Sequence, residues 1–381
     1  MPWNEVTRVS LREEFVQLAM QSGANRRELC RRFKISPKTG YKWLRRYQAA
    51  GQDGLQDRSR RPYRSPARTK EAIEQEVIRL RAESRNCWGG RKLARQLTNH
   101  GGPQLAPSTV TAILRRHGLI DPALAAAATP WQRFERGGPN ELWQMDFKGH
   151  FAMVDGRRCH PLTVLDDHSR FSVLLSACAN ERADTVQAAI TAAFRVYGLP
   201  AAMLMDNGGP WAACREHSWT AFSLWLVRLG IQVSHGRAYH PQTQGKDERF
   251  HRSLNFELLR HFNFTSLQHC QREFDHFRDR YNRERPHDAL DLDTPASRYR
   301  VSPIAFPETL PPIEYPAGLE VRKVQGDGRV SYHGHQLRLS AALRGLPVAL
   351  RPMPDADSQR EVLFCHQVIA RIDLHHADAS G

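Results

Sequence analysis

The chain has 381 residues, 40% hydrophobic and 25% charged, which suits a globular protein of two to four domains. Its cysteines (Cys30, Cys87, Cys159, Cys178, Cys214, Cys270 and Cys365) are scattered with no C-x-x-C pair, which excludes a disulfide framework and suits free thiols in a reducing compartment. The net charge of +15 lies entirely in residues 1–120, with 25 basic against 10 acidic side chains, so a polyanion-binding front precedes a balanced remainder.

Residues 10–50 carry three helical patterns. Phe15, Leu18 and Ala19 are spaced for a helix that Ser22-Gly23 ends, and Leu29 and Phe33 share a face of the second. Ser36 is an N-cap and Pro37 a first helical residue for a third helix, with Tyr41, Leu44 and Tyr47 as its expected stripe. Two helices, a tight turn and a capped third helix form a helix-turn-helix pattern. Its third helix would offer Ser36, Lys38, Thr39 and Lys42 to a DNA groove, and Arg45 and Arg46 to phosphate. The aperiodic, Arg-rich segment 57–70, with Arg58, Arg60, Arg61 and Arg64, reads as a basic linker able to follow a phosphate backbone. A second helical trio over 71–120 carries Ile73, Val77 and Leu80, then Leu93 and Leu97, then a helix opened by Pro107 with Ser108 and Thr109 beside it. It repeats the first unit in plan and is expected to read DNA too, with a structural role as the alternative. Residues 121–137 are rich in Ala, Pro and Gly and form a boundary.

Beyond it, ELWQMDFKG alternates so that Asp146 lies opposite Trp143, Met145 and Phe147, the pattern of a strand. Two more strands follow, broken at Asp166-Asp167-His168-Ser169, where the acids are expected to cap a turn. A helix over 183–197 precedes an apolar strand that ends at Asp206 and a Gly-rich turn. From about Thr243 or Gln244 a helix places Phe250, Leu254 and Leu258 on one stripe and Glu248 off it, with Asp247 and Glu257 as competing carboxylates. Moving a phosphodiester needs charge relief at the attacking and leaving oxygens. Two Mg²⁺ ions about 3.5–4 Å apart, held by a few carboxylates on a rigid sheet, supply it. Carboxylates so gathered repel one another, so at least one raised pKa is expected without metal. Residues 303–318 form a Pro-rich linker, and 319–375 read as short strands of a small β-barrel or sandwich with a frayed tail.

These motifs resemble the integrase-type transposases of bacterial insertion sequences. WQMDFKG resembles the first-aspartate strand of that family, LMDNGGPW its second-aspartate motif, and HPQTQGKDERFHRSL its glutamate helix. ELCRRFKISPKTGYKWLRRY, GLQDRSRRP and RERPHDALDLDTPASRY are similar to its front end, basic tail and core-closing stretch. The resemblance implies N-terminal all-α helix-turn-helix units (1–56 and 71–120), a central α/β ribonuclease-H-like core (138–302) and a small all-β C-terminal domain. It implies catalytic and metal-binding roles for Asp146, Asp206 and Glu248, Gly245 fixing the register against Asp247. The spacing from Asp206 to Glu248, 41 residues between, is long for the family, and an insertion around Ala212–Trp219 would account for it. The zinc-binding front of retroviral integrases is missing from the pattern.

His240, Gln242 and Gln244 become candidate contacts to a DNA end, and Lys246, Arg249 and Arg252 candidate phosphate contacts, as do Arg283, Arg285 and His287. The implied activity is that of a DDE transposase: binding terminal inverted repeats, nicking the 3′ end and joining it to target DNA. It would use two Mg²⁺ ions, with Mn²⁺ as substitute, and act as a dimer or larger oligomer on double-stranded DNA. A nuclease without joining, or a regulator with an inactive core, are the alternatives. No apolar run approaches the ~20 residues of a membrane span, and the N-terminus lacks a signal-peptide core. A cytoplasmic, nucleoid-associated protein with no membrane partner is expected.

Overall fold

Ser36 and Pro37 start the third helix: the Ser36 hydroxyl accepts from the Thr39 amide at 3.2 Å, and Pro37 is the first helical residue. The computed structural model describes residues 8–58, 68–120, 135–206, 208–209, 211, 219–235, 245–353 and 356–374. Most of the two expected linkers before the core, the segment 212–218 and the tail beyond 374 lie outside them. The chain divides into two units, Met1–Thr69 and Lys70–Gly381.

In the first unit, α1 (Arg8–Ala19), α2 (Arg26–Arg32) and α3 (Pro37–Ala50) enclose Phe15, Val16, Ala19, Cys30, Trp43, Leu44 and Leu55. Gly40 permits the close approach of α3: a Cβ there would lie 2.6 Å from Cys30 Sγ and 2.8 Å from Phe15. The expected stripe through Tyr41 is corrected. Tyr41 is exposed and Trp43 is the buried aromatic. Successive three-residue steps drift off a 3.6-residue period, whereas Gly40, Trp43, Leu44 and Tyr47 keep it.

The second unit begins with α4 (Glu71–Glu83), α5 (Gly90–Asn99) and α6 (Pro107–Arg116), packed around Val77, Leu80, Trp88, Leu93, Leu97, Val110 and Ile113. A mixed sheet follows, built from β1 (Trp143–Phe147), β2 (Phe151–Ala152), β3 (Arg158–Asp166), β4 (Ser172–Cys178), β5 (Ala202–Met205) and β6 (Gln232–His235). Antiparallel β3 lies between β4 and β1, and β2 takes up the pairing with β3 where β1 leaves it. On the other side of β1, β5 and then β6 run parallel.

The sheet has two apolar faces. Trp143, Met145, Leu162 and Val164 pack beneath α7 (Ala183–Tyr197) and α8 (Ala221–Arg228) through Val186, Ile190, Phe194 and Phe222. Leu165 and Leu175 pack instead against α9 (Gly245–Glu257) and α10 (Leu267–Arg283) through Phe250, Leu254, Phe274 and Phe277. Each such large apolar side chain stabilises by about 1.5–3 kcal/mol when fully buried. Beyond a short α11 (Pro295–Arg298), the Pro-rich stretch is a strap along the core: the Leu199 amide donates to the Ile304 carbonyl at 2.8 Å, and Phe306 stacks on Phe194.

The C-terminal module is all β. An antiparallel sheet in the order β12 (Gln367–Asp373), β11 (Ala356–Phe364), β10 (Pro347–Met353), β7 (Glu320–Lys323) lies beside the hairpin β8 (Arg329–Tyr332)–β9 (His335–Arg338). Its interior joins that of the core in one cluster. The Gln367 side chain caps the outer edge of β6, donating to the Val233 carbonyl at 2.6 Å and accepting from its amide at 2.8 Å. Among the described residues no helix is long and apolar enough to cross a membrane.

Candidate active site

Met145 of β1 is in register with Met205 of the neighbouring parallel strand β5. The next residue on each is an aspartate, so Asp146 and Asp206 emerge side by side at the same ends of strands about 4.8 Å apart. Helix α9 lies against β1 and brings Glu248 in its first turn. Asp146 is pushed up to about 7, first by burial, then by the charge of Asp206, with Glu181 and Glu248 adding to it.

Asp206 is held from its own turn. Its Oδ1 accepts from the Gly208 amide at 3.0 Å and from the indole of Trp211. Trp211 is buried and stacks on Phe147, ring centroids 5.4 Å apart. The Asp206 carbonyl meets His235 Nδ1 at 3.1 Å. No donor to Oδ2 is found among the described residues.

A chain of hydrogen bonds fixes Asp146. Thr163 Oγ1 donates to the Asp146 carbonyl at 2.9 Å and lies 2.9 Å from His251 Nε2. The hydroxyl proton being used, Nε2 is the donor in that second bond, and Nδ1 turns its lone pair toward Asp146 Oδ2 at 3.9 Å. Burial pushes His251 down to about 3, so the ring is neutral at physiological pH. His251, one turn beyond Glu248, Thr163 and Trp211 had no role in the sequence reading. The i, i+3 spacing from Glu248 was the available signal for His251.

Asp247 and Glu248 part company. Glu248 is exposed, whereas Asp247 is 1% exposed and neither of its carboxylate oxygens has a hydrogen-bond partner among the described residues. Burial, followed by the charge of Asp146, raises Asp247 well above the ordinary carboxylate range. Asp166 caps the turn at Ser169 as expected, whereas Asp167 bonds outside that turn, to the Arg136 amide and Gln144. Asp166 accepts from the Ser169 amide at 2.7 Å and the Asn140 amide at 2.7 Å, and Asp167 accepts from Gln144 Nε2 at 2.7 Å.

Among the candidate DNA contacts, Lys246 is paired internally with Asp167, while Arg249 and Arg252 are exposed on the same helix as Glu248. Arg285 and His287 require correction. Arg285 is interior, bonded to Glu257 at 2.8 Å and Ser253 at 3.1 Å, and His287 is buried against Tyr281. Side chains of α9 and α10 hold them, which local sequence does not reveal. Arg283 stays exposed, paired with Asp279 at 2.8 Å. In the first unit Lys38, Lys42, Arg45 and Arg58 are exposed, Arg46 lies 5.0 Å over the Trp43 ring, and the hydroxyls of Ser36 and Thr39 bond each other at 3.0 Å. Ser108 is exposed and Thr109 half-buried at the start of α6. Arg60, Arg61, Arg64, His240, Gln242 and Gln244 lie outside the described residues.

Residues 137–241 and 229–295 match integrase core domain families, and residues 319–380 match the C-terminal domain of the IS481 family transposases. Residues 11–63 match a helix-turn-helix domain and 39–114 a homeodomain-like domain. The insertion element IS407 uncharacterized 31.7 kDa protein of Burkholderia multivorans is 31% identical over 178 residues, 45% of this chain and 62% of that one. The insertion element IS476 uncharacterized 39.2 kDa protein of Xanthomonas euvesicatoria is 30% identical over 158 residues, 42% and 44% of the two chains. The match thus spans about half the length of these relatives. Among solved structures, the HTLV-2 integrase catalytic core domain in complex with magnesium aligns at 18% identity and a TM-score of 0.33, over 43% of this chain and 99% of that one, and nothing is carried over from it. With integrase core matches running from residue 137 to 295, an IS481-type C-terminal domain match behind them and helix-turn-helix matches in front, the chain carries the domain order of the insertion-sequence transposases of the integrase-core (DDE) superfamily.

Proposed function

We propose that the chain binds the terminal inverted repeats of its element and nicks and joins DNA 3′ ends at Asp146, Asp206 and Glu248. The observation that carries this reading is the pairing of Met145 with Met205, which sets two aspartates on adjacent parallel strands beside a helix bearing Glu248. The residues suit hard divalent ions. Their donors are carboxylate oxygens, and Asp146 is raised first by burial and then by the charge of Asp206. Asp146, Asp206 and Glu248 would hold Mg²⁺, or Mn²⁺ in its place, which when bound supplies charge relief at the attacking and leaving oxygens.

The chain's own groups do the rest. Trp211 and Gly208 orient the Asp206 carboxylate, and Thr163 with neutral His251 fixes the strand end that carries Asp146. Exposed Arg249 and Arg252 would meet phosphate beside the acids. Lys38, Lys42 and Arg45 on α3 would meet the DNA end from the first unit. Two ends must be joined in one synapsis, so a dimer or larger assembly is proposed.

The test is Asp206→Asn assayed on inverted-repeat DNA with Mg²⁺. End binding should persist while nicking falls by at least about 10³-fold, the scale on which loss of transition-state charge stabilisation acts. Undiminished nicking would remove Asp206 from the site. Strand transfer from a pre-nicked end should also occur in the wild type, and cutting without joining would make the protein a nuclease.

A further inference from the structure

We infer that His150, His160 and Glu181 form a binding site for one imidazole-selecting divalent cation of the Zn²⁺ class, with none of Asp146, Asp206 and Glu248 among its ligands. Each side chain offers one ligand atom, and the three atoms lie within 4.8 Å of one another. His160 Nδ1 and Glu181 Oε1 are already 2.8 Å apart, and the two imidazole rings are 5.2 Å apart. Zn–N and Zn–O bonds of ~2.0–2.2 Å put tetrahedral ligand atoms about 3.3–3.5 Å from each other, so small side-chain rotations complete the set.

The fold holds the three at one level of the sheet. The Lys148 amide donates to the Pro161 carbonyl, and Phe151 pairs with Cys159, so His150 in the bend between β1 and β2 stands opposite His160 of β3. His160 pairs in turn with Cys178 of β4, and Glu181 follows in the turn that leads into α7. A bend, a strand and a turn thus bring two imidazoles and a carboxylate together. Two imidazoles with a single carboxylate favour Zn²⁺ and its neighbours over Mg²⁺, which takes oxygen ligands.

The protonation pattern agrees. Arg158 Nη1 lies 2.5 Å from His150 Nε2. A guanidinium only donates, so that nitrogen presents a lone pair, as a metal ligand must. The ion would displace the Arg158 head into solvent, and binding at Nδ1 would leave the neutral His160 ring with its proton on Nε2. Three protein ligands leave a fourth position for water. The ion would clamp the bend after the strand bearing Asp146 to the turn entering α7.

The experiment uses the full chain, stripped with chelator and dialysed against micromolar Zn²⁺ in millimolar Mg²⁺, with zinc content and melting temperature as readouts. About one zinc per chain is expected for the wild type and for Asp206→Asn, with a raised melting temperature. His160→Gln and Glu181→Gln should each lose most of that zinc, circular dichroism showing both folded. A Co²⁺-loaded wild type should show a d–d spectrum without a thiolate charge-transfer band. Equal zinc in His160→Gln and wild type, no zinc on the wild type, or loss in Asp206→Asn instead would each overturn the site. So would a thiolate band, which would move the ion to the cysteines.

Discussion

Asp247 is enclosed by protein and Glu248 faces outward one residue later, although both are acids in the first turn of α9. A buried carboxyl without partners costs about 1–3 kcal/mol. Asp247→Val should therefore stabilise the chain by that order, read as a higher denaturation midpoint, and leave nicking in place. Glu248→Gln should leave the midpoint nearly unchanged and abolish nicking. The reverse pair of outcomes would make Asp247 the third carboxylate. Much of the candidate site was legible in the sequence because a strand alternates strictly: placing Trp143 and Met145 inward fixes Asp146 on the other face. His251 and Trp211 were not, since their contacts depend on how α9 and the turn after β5 meet the sheet. Arg285 and His287 looked exposed because a basic residue after a helix usually is. Their burial comes from α9 and α10, with the Lys92 ammonium of a helix far earlier in the chain close by.

That earlier helix is α5, and at the scale of elements it alters the reading of the second helical unit. Arg91 pairs with Asp288 at 3.2 Å, Arg95 with Asp293 at 2.9 Å, and Arg85 donates to the Glu257 carbonyl at 2.8 Å. Trp88 Nε1 reaches Glu257 at 3.4 Å, and Arg116 pairs with Glu74 at 2.8 Å. Arg85, Arg91 and Arg95 tie the unit to the core and Arg116 is paired inside it, so much of the unit's basic charge is engaged within the protein. Helical periodicity predicted α4, α5 and α6 correctly, but periodicity says which face is apolar, not what covers it. Lys92 reports the joint. Burial, with the Arg285 guanidinium nearby, pushes it down to about 8. Its folded pKa is thus below the unfolded value of ~10.4. Below about pH 8 both states are charged and the burial penalty is complete; between about 8 and 10.4 the folded amine is neutral and the penalty fades. Lys92→Met should raise stability at pH 7 by on the order of 1–2 kcal/mol, and the gain should shrink steadily by pH 10. Urea unfolding at the two pH values measures it. A gain independent of pH would mean that the ammonium is solvated.

At the scale of the whole molecule, charge and architecture divide at the same place. Residues 1–69 hold 16 basic and 6 acidic side chains, two-thirds of the excess charge of +15, and they form a unit of their own. Within the remainder, Lys70–Gly381, a single apolar cluster joins the core to the C-terminal module, running from Trp143 through Phe364 to Ile369, with Gln367 sealing the edge of β6. The two parts should therefore respond differently to truncation. Removing residues 1–69 deletes no part of that cluster, so the remainder should keep a cooperative melting transition within a few degrees of its transition in the full chain. Ending the chain at residue 302 removes Val330, Val348, Val362 and Phe364 from the shared interior and uncovers an apolar face, so that form should aggregate or melt broadly. DNA binding should follow charge instead of core. Each phosphate neutralised contributes about 0.9 to the slope of log K against log salt on duplex DNA. Loss of the first unit should lower that slope by several, because its exposed Lys38, Lys42, Arg45 and Arg58 go with it. Fluorescence anisotropy on end DNA across a salt series gives both slopes. An unchanged slope would place the phosphate contacts in the second unit, on Arg249 and Arg252 beside the acids, and reduce the helix-turn-helix at the front to a minor contact.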